Sequence, residues 1–381
     1  MDSVKEKEDI YRLLPSSTRY LLSSSGTDLV EKIGIDVVRE VVYNVLCGKN
    51  LRDSTEMITR RRIGMLNAAT FMMFLKGGMR DKEFAKKLPN LAVAGLKEGG
   101  KKEKRWVYEW LLGLTDKAFQ NVLRDKTEEI QKYAEKYVME VEEIVASCKN
   151  DYGNIKGIVE LKTGEKVEID WSFIIQLLGT IGAQTLAIRG SEKSTYGKLF
   201  ERLILGSVLT ILDFKLVSKE KISDFDKVFW LSERGEKRES DATALMKAGQ
   251  GVRFDIGFIG RGNPEISLDK VSRFEREIEL GKQKWYMATF ILIDRVGERS
   301  RIVELAKKVD ATVIQMSMSY WAKLLALEMK NRLDYDCELV HVPDTQVGDY
   351  IRKRLASIDL VKFVGGKTKN NEVAKLDNFH G

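Results

Sequence analysis

Histidine is nearly absent. Only His341 and His380 occur in 381 residues, and His380 is next to the last residue, Gly381. Mechanisms that need two or more histidines are thereby nearly excluded, and a Cys–His protease is disfavoured. Cysteine is equally sparse: Cys47, Cys148 and Cys337 lie far apart, odd in number and without a CxxC pair. They argue against a zinc site or a disulfide framework and fit a reducing cytoplasm. No run of about 18 apolar residues stands out, so no transmembrane helix is expected. The start, Met1-Asp2-Ser3-Val4-Lys5-Glu6, is charged where a signal peptide needs an apolar stretch, which argues against secretion.

Carboxylates, lysines and a metal are left as the means of catalysis. Hydrophobic residues make up 43% and charged residues 32%, a balance that predicts a soluble, globular chain. Its length allows one large domain or two ordinary ones. The net charge of +7 and pI near 9.0 suit a polyanionic partner.

The first 150 residues read as helical, with apolar residues at helical spacing in 54–76 and 126–148 and around Val37–Val42. The polar stretch Lys97 to Arg105 between them reads as a loop. Near residue 150 the pattern changes, which places a boundary between an N-terminal helical region, 1–150, and a second domain, 151–381. Asp151-Tyr152-Gly153-Asn154 signals a turn, and Ile155–Leu161 with Lys166–Ile169 reads as a hairpin. Phe173 to Ala187 reads as a helix, Arg189 to Thr195 as a polar entry, and 197–213 as a separate amphipathic helix. Strands are expected at Val228–Leu231, Val252–Ile259, Glu265–Leu268, Trp285–Ile293 and Ala311–Met316. Helices are expected at 269–280, 298–309 and 320–332, a polar loop from Ser232 to Gly251, and a polar tail from Val364. This order gives an α/β fold with a mixed sheet flanked by helices.

Three acidic residues stand where the local pattern does not want them. In the strand Val252 to Ile259, alternation puts Val252, Phe254, Ile256 and Phe258 on one face and Asp255 on the other. Gly257 beside it leaves room for a close approach. If the chain turns back after Gly260-Arg261-Gly262-Asn263-Pro264, Glu265 and Ser267 fall near Asp255, within a register uncertainty of two residues. Glu201 shares a helical stripe with Leu205, Val208 and Leu212, where a buried carboxylate costs several kcal/mol unless a cation compensates. Three hard oxygen donors suit magnesium, which keeps some of its waters and also binds substrate phosphate. Taken singly, Asp255 reads equally as a partner of Arg253 or Arg261, and Glu201 as a rim residue pairing with Lys198 or Arg202.

Taken together, Gly197-Lys198-Leu199-Phe200-Glu201-Arg202-Leu203, Arg253-Phe254-Asp255-Ile256-Gly257-Phe258 and Asn263-Pro264-Glu265-Ile266-Ser267 resemble the PD-(D/E)XK nuclease superfamily. The likeness is greatest to the type II restriction endonucleases and covers about 189–316, roughly a third of the chain. The resemblance implies a restriction-endonuclease-like core, Mg2+ held by Glu201, Asp255 and Glu265, and double-stranded DNA as substrate. It also implies a homodimer, since two-fold protein symmetry matches palindromic DNA. In that family a lysine two residues after the last carboxylate orients the attacking water. Here Ser267 stands in its place, so Ser267, Lys270 or Lys198 would take that part, and Asp269 is an alternative to Glu265 as well as an N-cap candidate. Phe254 replaces the proline of the motif.

Several residues are candidates to touch DNA. Lys193, Ser194 and Lys198 precede or open the glutamate helix, where free amides bind phosphate. Arg234, Lys237 and Arg238 lie in the mixed loop 232–251, suited to reading base edges. Arg253 and Arg261 flank the acidic strand, and Thr59-Arg60-Arg61-Arg62 could grip phosphates from the helical region. Three rival readings stay open: a structure-specific repair or junction nuclease, a DNA-binding protein with the same fold and no catalysis, and a helical structural protein with an incidental acidic cluster.

Overall fold

The computed structural model describes residues 9–22, 33–123, 127–218, 226–232, 240–247, 250–258, 286–295 and 310–364, with Val30 and Ala306. It contains two compact units, Met1–Ser25 with Met57–Lys193 and Gly26–Glu56 with Ser194–Gly381. The second unit thus takes in Gly26–Glu56 as well as the chain from Ser194 onward.

The helical reading of the N-terminal part holds. Its helices are α1 (Ile35–Leu46), α2 (Leu51–Arg80), α3 (Phe84–Glu98), α4 (Lys102–Leu111), α5 (Asp116–Leu123) and α6 (Thr127–Tyr152). The expected loop at 97–105 shrinks to three residues between α3 and α4. Gly99 and Gly100, at φ +71 and +131, end α3. Lys102 to Arg105 are good helix formers and open the next helix, where Arg105 reaches Glu109 one turn on, 2.7 Å away. In the first unit, Phe74 meets Phe84 and Phe173 edge to face, with centroids 6.4 and 5.6 Å apart. The expected hairpin forms as β1 (Gly157–Glu160) and β2 (Lys166–Ile169), antiparallel.

A single helix, α7 (Trp171–Ile211), replaces the two helices and polar entry read from the sequence. No proline interrupts Arg189 to Thr195, and Ser191 Oγ bonds back to the Ile188 carbonyl at 2.9 Å, so the polar stretch continues the helix. One window of α7, of mean hydropathy 1.4, is long and apolar enough to cross a membrane by length and composition alone. The sequence reading missed it because Gln176, Gly179, Thr180 and Gln184 break the run without lowering its mean enough. Gln176, Thr180 and Gln184 are buried and hydrogen-bonded, to Leu111 O, Gln176 O and both Thr70 and Asn67 respectively.

The second unit is built on a six-stranded mixed sheet of β3 (Lys215–Leu216), β4 (Val228–Leu231), β5 (Ala242–Lys247), β6 (Gln250–Gly257), β7 (Tyr286–Ile293) and β8 (Ala311–Gln315), in that spatial order. β4, β5 and β6 form an antiparallel meander, and β6, β7 and β8 run parallel. β5 lies within the stretch expected to be a loop. Its small residues Ala242 and Ala244 are weak strand formers but are fully buried between two neighbours. The stacked rings of Phe254 and Phe290, paired in register, centre the core at 5.7 Å. Helix α8 (Trp321–Leu333) packs on β7 and β8, and α9 (Val347–Ala356) lies against α1. The buried indole of Trp321 donates to Val45 O at 2.7 Å, fixing the end of α1. The strand expected at Glu265–Leu268 and the helices at 269–280 and 298–309 lie outside the described residues, apart from Ala306.

Candidate active site

Asp255 is 4% exposed, between fully buried Phe254 and Ile256 on β6. Both faces of the strand are covered, so alternation has not sent this carboxylate to solvent. In the parallel register its neighbour is Ile291, itself fully buried. A carboxylate kept in such company needs compensation, which is the usual mark of a working site. Its position supports that view. The three parallel strands end together: Asp294 N–H donates to Gly257 O at 3.3 Å, and Met316 N–H to Ile293 O at 2.7 Å. Ligands of open α/β sheets bind beyond such carboxyl ends.

The expected hairpin between the Asp255 strand and 265–268 is not what pairs there. β6 has β5 along one edge and β7 along the other, because Ala242 pairs with Phe254 and Phe290 pairs with it from the opposite side. Glu265, Ser267, Lys270 and Arg261 lie outside the described residues, as do Arg234, Lys237 and Arg238. Among the described residues, no group of three or more His, Cys, Asp or Glu side chains forms a ready metal cage.

One residue further along the β5–β6 ladder, Asp241 comes opposite Asp255. Its Oδ2 accepts the Ile256 N–H at 2.9 Å, so the side chain continues the strand pairing past the point where β5 begins. Asp241 O in turn accepts the Ser232 N–H at 3.1 Å. Ser232 O accepts from Arg202 Nη1, and Arg202 Nε donates to Phe363 O at 2.9 Å. Arg202 is the chain neighbour of Glu201. The stripe Leu205, Val208 and Leu212 is fully buried, and Glu201 stands half-buried where it ends. Gly206 lets the Phe363 ring lie against α7, where an added Cβ would come within 2.4 Å of it. Two of the three expected carboxylates thus flank one hydrogen-bonded chain, Arg202–Ser232–Asp241–Ile256.

The remaining sequence candidates separate. Lys198 is exposed in the middle of α7, and Lys193 and Ser194 also belong to that helix. The helix N-terminus expected to hold phosphate there does not exist, because the helix begins at Trp171. Arg253 shares the strand face of Asp255 and is half-buried. The arginine run divides: Arg60 and Arg61 are exposed, while Arg62 is buried and donates to Leu21 O at 2.9 Å.

Sequence reasoning missed Asp241, which reads as one more charge in a polar loop, and Asp294. Asp294 is 7% exposed and accepts from Asn50 Nδ2 at 2.9 Å. Burial raises its pKa, Asn50 works against the rise, and Asp53 adds to it. An acid directly after an apolar strand was the available signal; nothing marked Asn50.

A mixed sheet with a buried aspartate near the carboxyl ends of its parallel strands, tied to a helix bearing a glutamate, has the architecture of a restriction-endonuclease-like nuclease. The profile of the CfrBI restriction endonuclease family matches residues 35–301. The type II restriction enzyme CfrBI of Citrobacter freundii is 39% identical over 361 residues, covering 92% of this chain and 97% of that protein. No solved structure matches the chain. The chain belongs to the CfrBI restriction endonuclease family, and so is a type II restriction endonuclease, a hydrolase that cuts DNA. Such enzymes generally need a divalent metal. The donors described fit one: Asp255 on β6 and Asp241 directly before β5 both offer hard carboxylate oxygens.

Proposed function

We propose that this protein is a magnesium-dependent, sequence-specific endonuclease for double-stranded DNA, with Asp255 at the centre of its site. The observation that carries the reading is the buried Asp255 carboxylate at the parallel strand ends, joined through hydrogen bonds to the Glu201-bearing helix. Asp255 and Glu265 hold the magnesium and Glu201 completes its surroundings. When bound, the ion lowers the pKa of a water and neutralises charge on the scissile phosphate. Ser267 or Lys270 orients the water that attacks phosphorus in line. Arg253, together with Arg234, Lys237, Arg238 and Arg261, contacts DNA, aided by Lys198, Lys193 and Ser194. The N-terminal helices clamp DNA or pair two copies, and the enzyme works in the cytoplasm as a homodimer, away from membranes.

The test is incubation of purified protein with plasmid or phage DNA, with magnesium or EDTA, beside Asp255→Ala. Discrete fragments that need magnesium and vanish in the variant are expected. Binding without cutting would favour a fold that has lost catalysis, as the serine at the lysine position allows. Cutting confined to junctions or damaged DNA would favour a repair role. Unchanged cutting by Asp255→Ala would remove Asp255 from the centre.

A further inference from the structure

We infer that Arg202 is a positioning residue for DNA cleavage, acting as a strap that sets the Glu201 helix against the strand carrying Asp255. The inference rests on the placement of Asp255 at the centre proposed above. The side chain makes two directed bonds from one planar fork: Nε to Phe363 O at 2.9 Å and Nη1 to Ser232 O. Ser232 directly follows β4, and its N–H donates to Asp241 O at 3.1 Å. Asp241 then takes the Ile256 N–H at 2.9 Å, the peptide that directly follows Asp255.

The strap therefore runs from the residue after Glu201 to the residue after Asp255 through three strands, with every link a hydrogen bond to backbone. Ser232 is braced a second time, because its hydroxyl donates to Ser240 O, and Ser240 Oγ lies 3.1 Å from Thr243 Oγ1 inside β5. A guanidinium suits this place because its donors diverge from a rigid plane, whereas a lysine's three donors rotate on one compact ammonium at the end of a flexible stem and fix no such geometry. Two carboxylates that must converge on one cation need their supports held to within about half an ångström, and this network supplies that support from outside the reacting groups.

The experiment compares wild type, Arg202→Met, Arg202→Lys and Asp255→Ala as full-length proteins. It measures single-turnover cleavage, DNA affinity in calcium, the magnesium concentration for half-maximal rate, and the rise in Tm on adding calcium without DNA. The strap predicts that Arg202→Met lowers the cleavage rate at least tenfold and raises the magnesium requirement several-fold. Its calcium-induced rise in Tm should shrink, and its DNA affinity should stay within about threefold. Arg202→Lys should recover part of the rate. Unchanged rate and magnesium requirement in a folded Arg202→Met would overturn the strap. So would rate, DNA affinity and basal Tm all falling together in both Arg202 variants, which is the signature of a merely structural residue. If Asp255→Ala alone cleaves normally, the centre itself has been misplaced, and the Arg202 results are then read without it.

Discussion

Each unit of the molecule buries an acid, and the two burials differ in kind. In the helical unit Glu109 is fully buried on α4, held by Arg105 at 2.7 Å on the same helix, and its Oε2 has no hydrogen-bond partner among the described residues. Burial pushes its pKa up to about 7, with Arg105 opposing the rise and Asp116 adding to it. In the sheet unit Asp255 is nearly as hidden, but it stands near the ends of three parallel strands, with a second carboxylate opposite and a network of backbone bonds around it. Depth is common to both. What separates them is the company: one helix-local arginine in the first case, a convergence of chain ends in the second. Burial by itself therefore does not separate the two acids; position in the fold does.

The sharpest way to break this comparison is to remove each acid in turn. Asp255→Ala should lower plasmid cleavage by roughly 10³-fold or more, about 4 kcal/mol in the barrier, in a protein that still folds. Glu109→Gln should leave the cleavage rate within a few-fold of wild type. A comparable loss of cutting in both variants would erase the distinction.

The second test is pH. Glu109 ionises near 7 in the folded chain and near 4.5 when unfolded, so the folded state holds the extra proton between these values. Its contribution is fully present below about pH 4.5, falls as pH rises to about 7, and is flat above, a loss of about 3 kcal/mol at most. Unfolding by urea across pH 4–8 should show that slope in wild type and a flatter one in Glu109→Gln. Asp294, also raised by burial, adds a slope of the same sign from the sheet unit, which Asp294→Asn isolates.

A smaller effect is expected at Asn50. It caps α2, its Oδ1 accepting the Arg52 N–H at 2.8 Å, while its amide holds Asp294 at 2.9 Å. Asn50→Ala should cost about 1–2 kcal/mol by denaturant titration, and Asn50→Asp should cost more, since it places a second carboxylate against Asp294. No change in either would mean the contact is incidental.

Legibility in the sequence followed the strength of local pattern. β7 was plain because Tyr286 to Ile293 is an apolar run of strand-forming residues, and α2 and α6 because their periodicity persists over many turns. β5 was hidden because Ala242-Thr243-Ala244-Leu245 has little strand preference of its own and is held by neighbours distant in sequence. α7 was split in two because a polar patch looks like a boundary when nothing shows that the helix can continue through it. Asp255 was legible as a charge inside an apolar strand, whereas Glu201, read on a buried stripe, is half-buried where that stripe ends. Asp241 was not, since only the strand register reveals that it faces Asp255.

The order in which the chain is made has its own consequence. Arg39 Nε bonds Leu355 O, 316 residues later in sequence, and the indole of Trp321 closes on Val45 over a separation of 276. At about 5–20 residues per second of synthesis, α1 waits on the order of 15–60 s for the partner that anchors it. The parallel pair of β7 and β8 likewise cannot form until β8 has left the ribosome, and such long-range closure is slow. For most of its synthesis the chain therefore holds α1 without the partners that anchor it, and the packing around that helix is completed late.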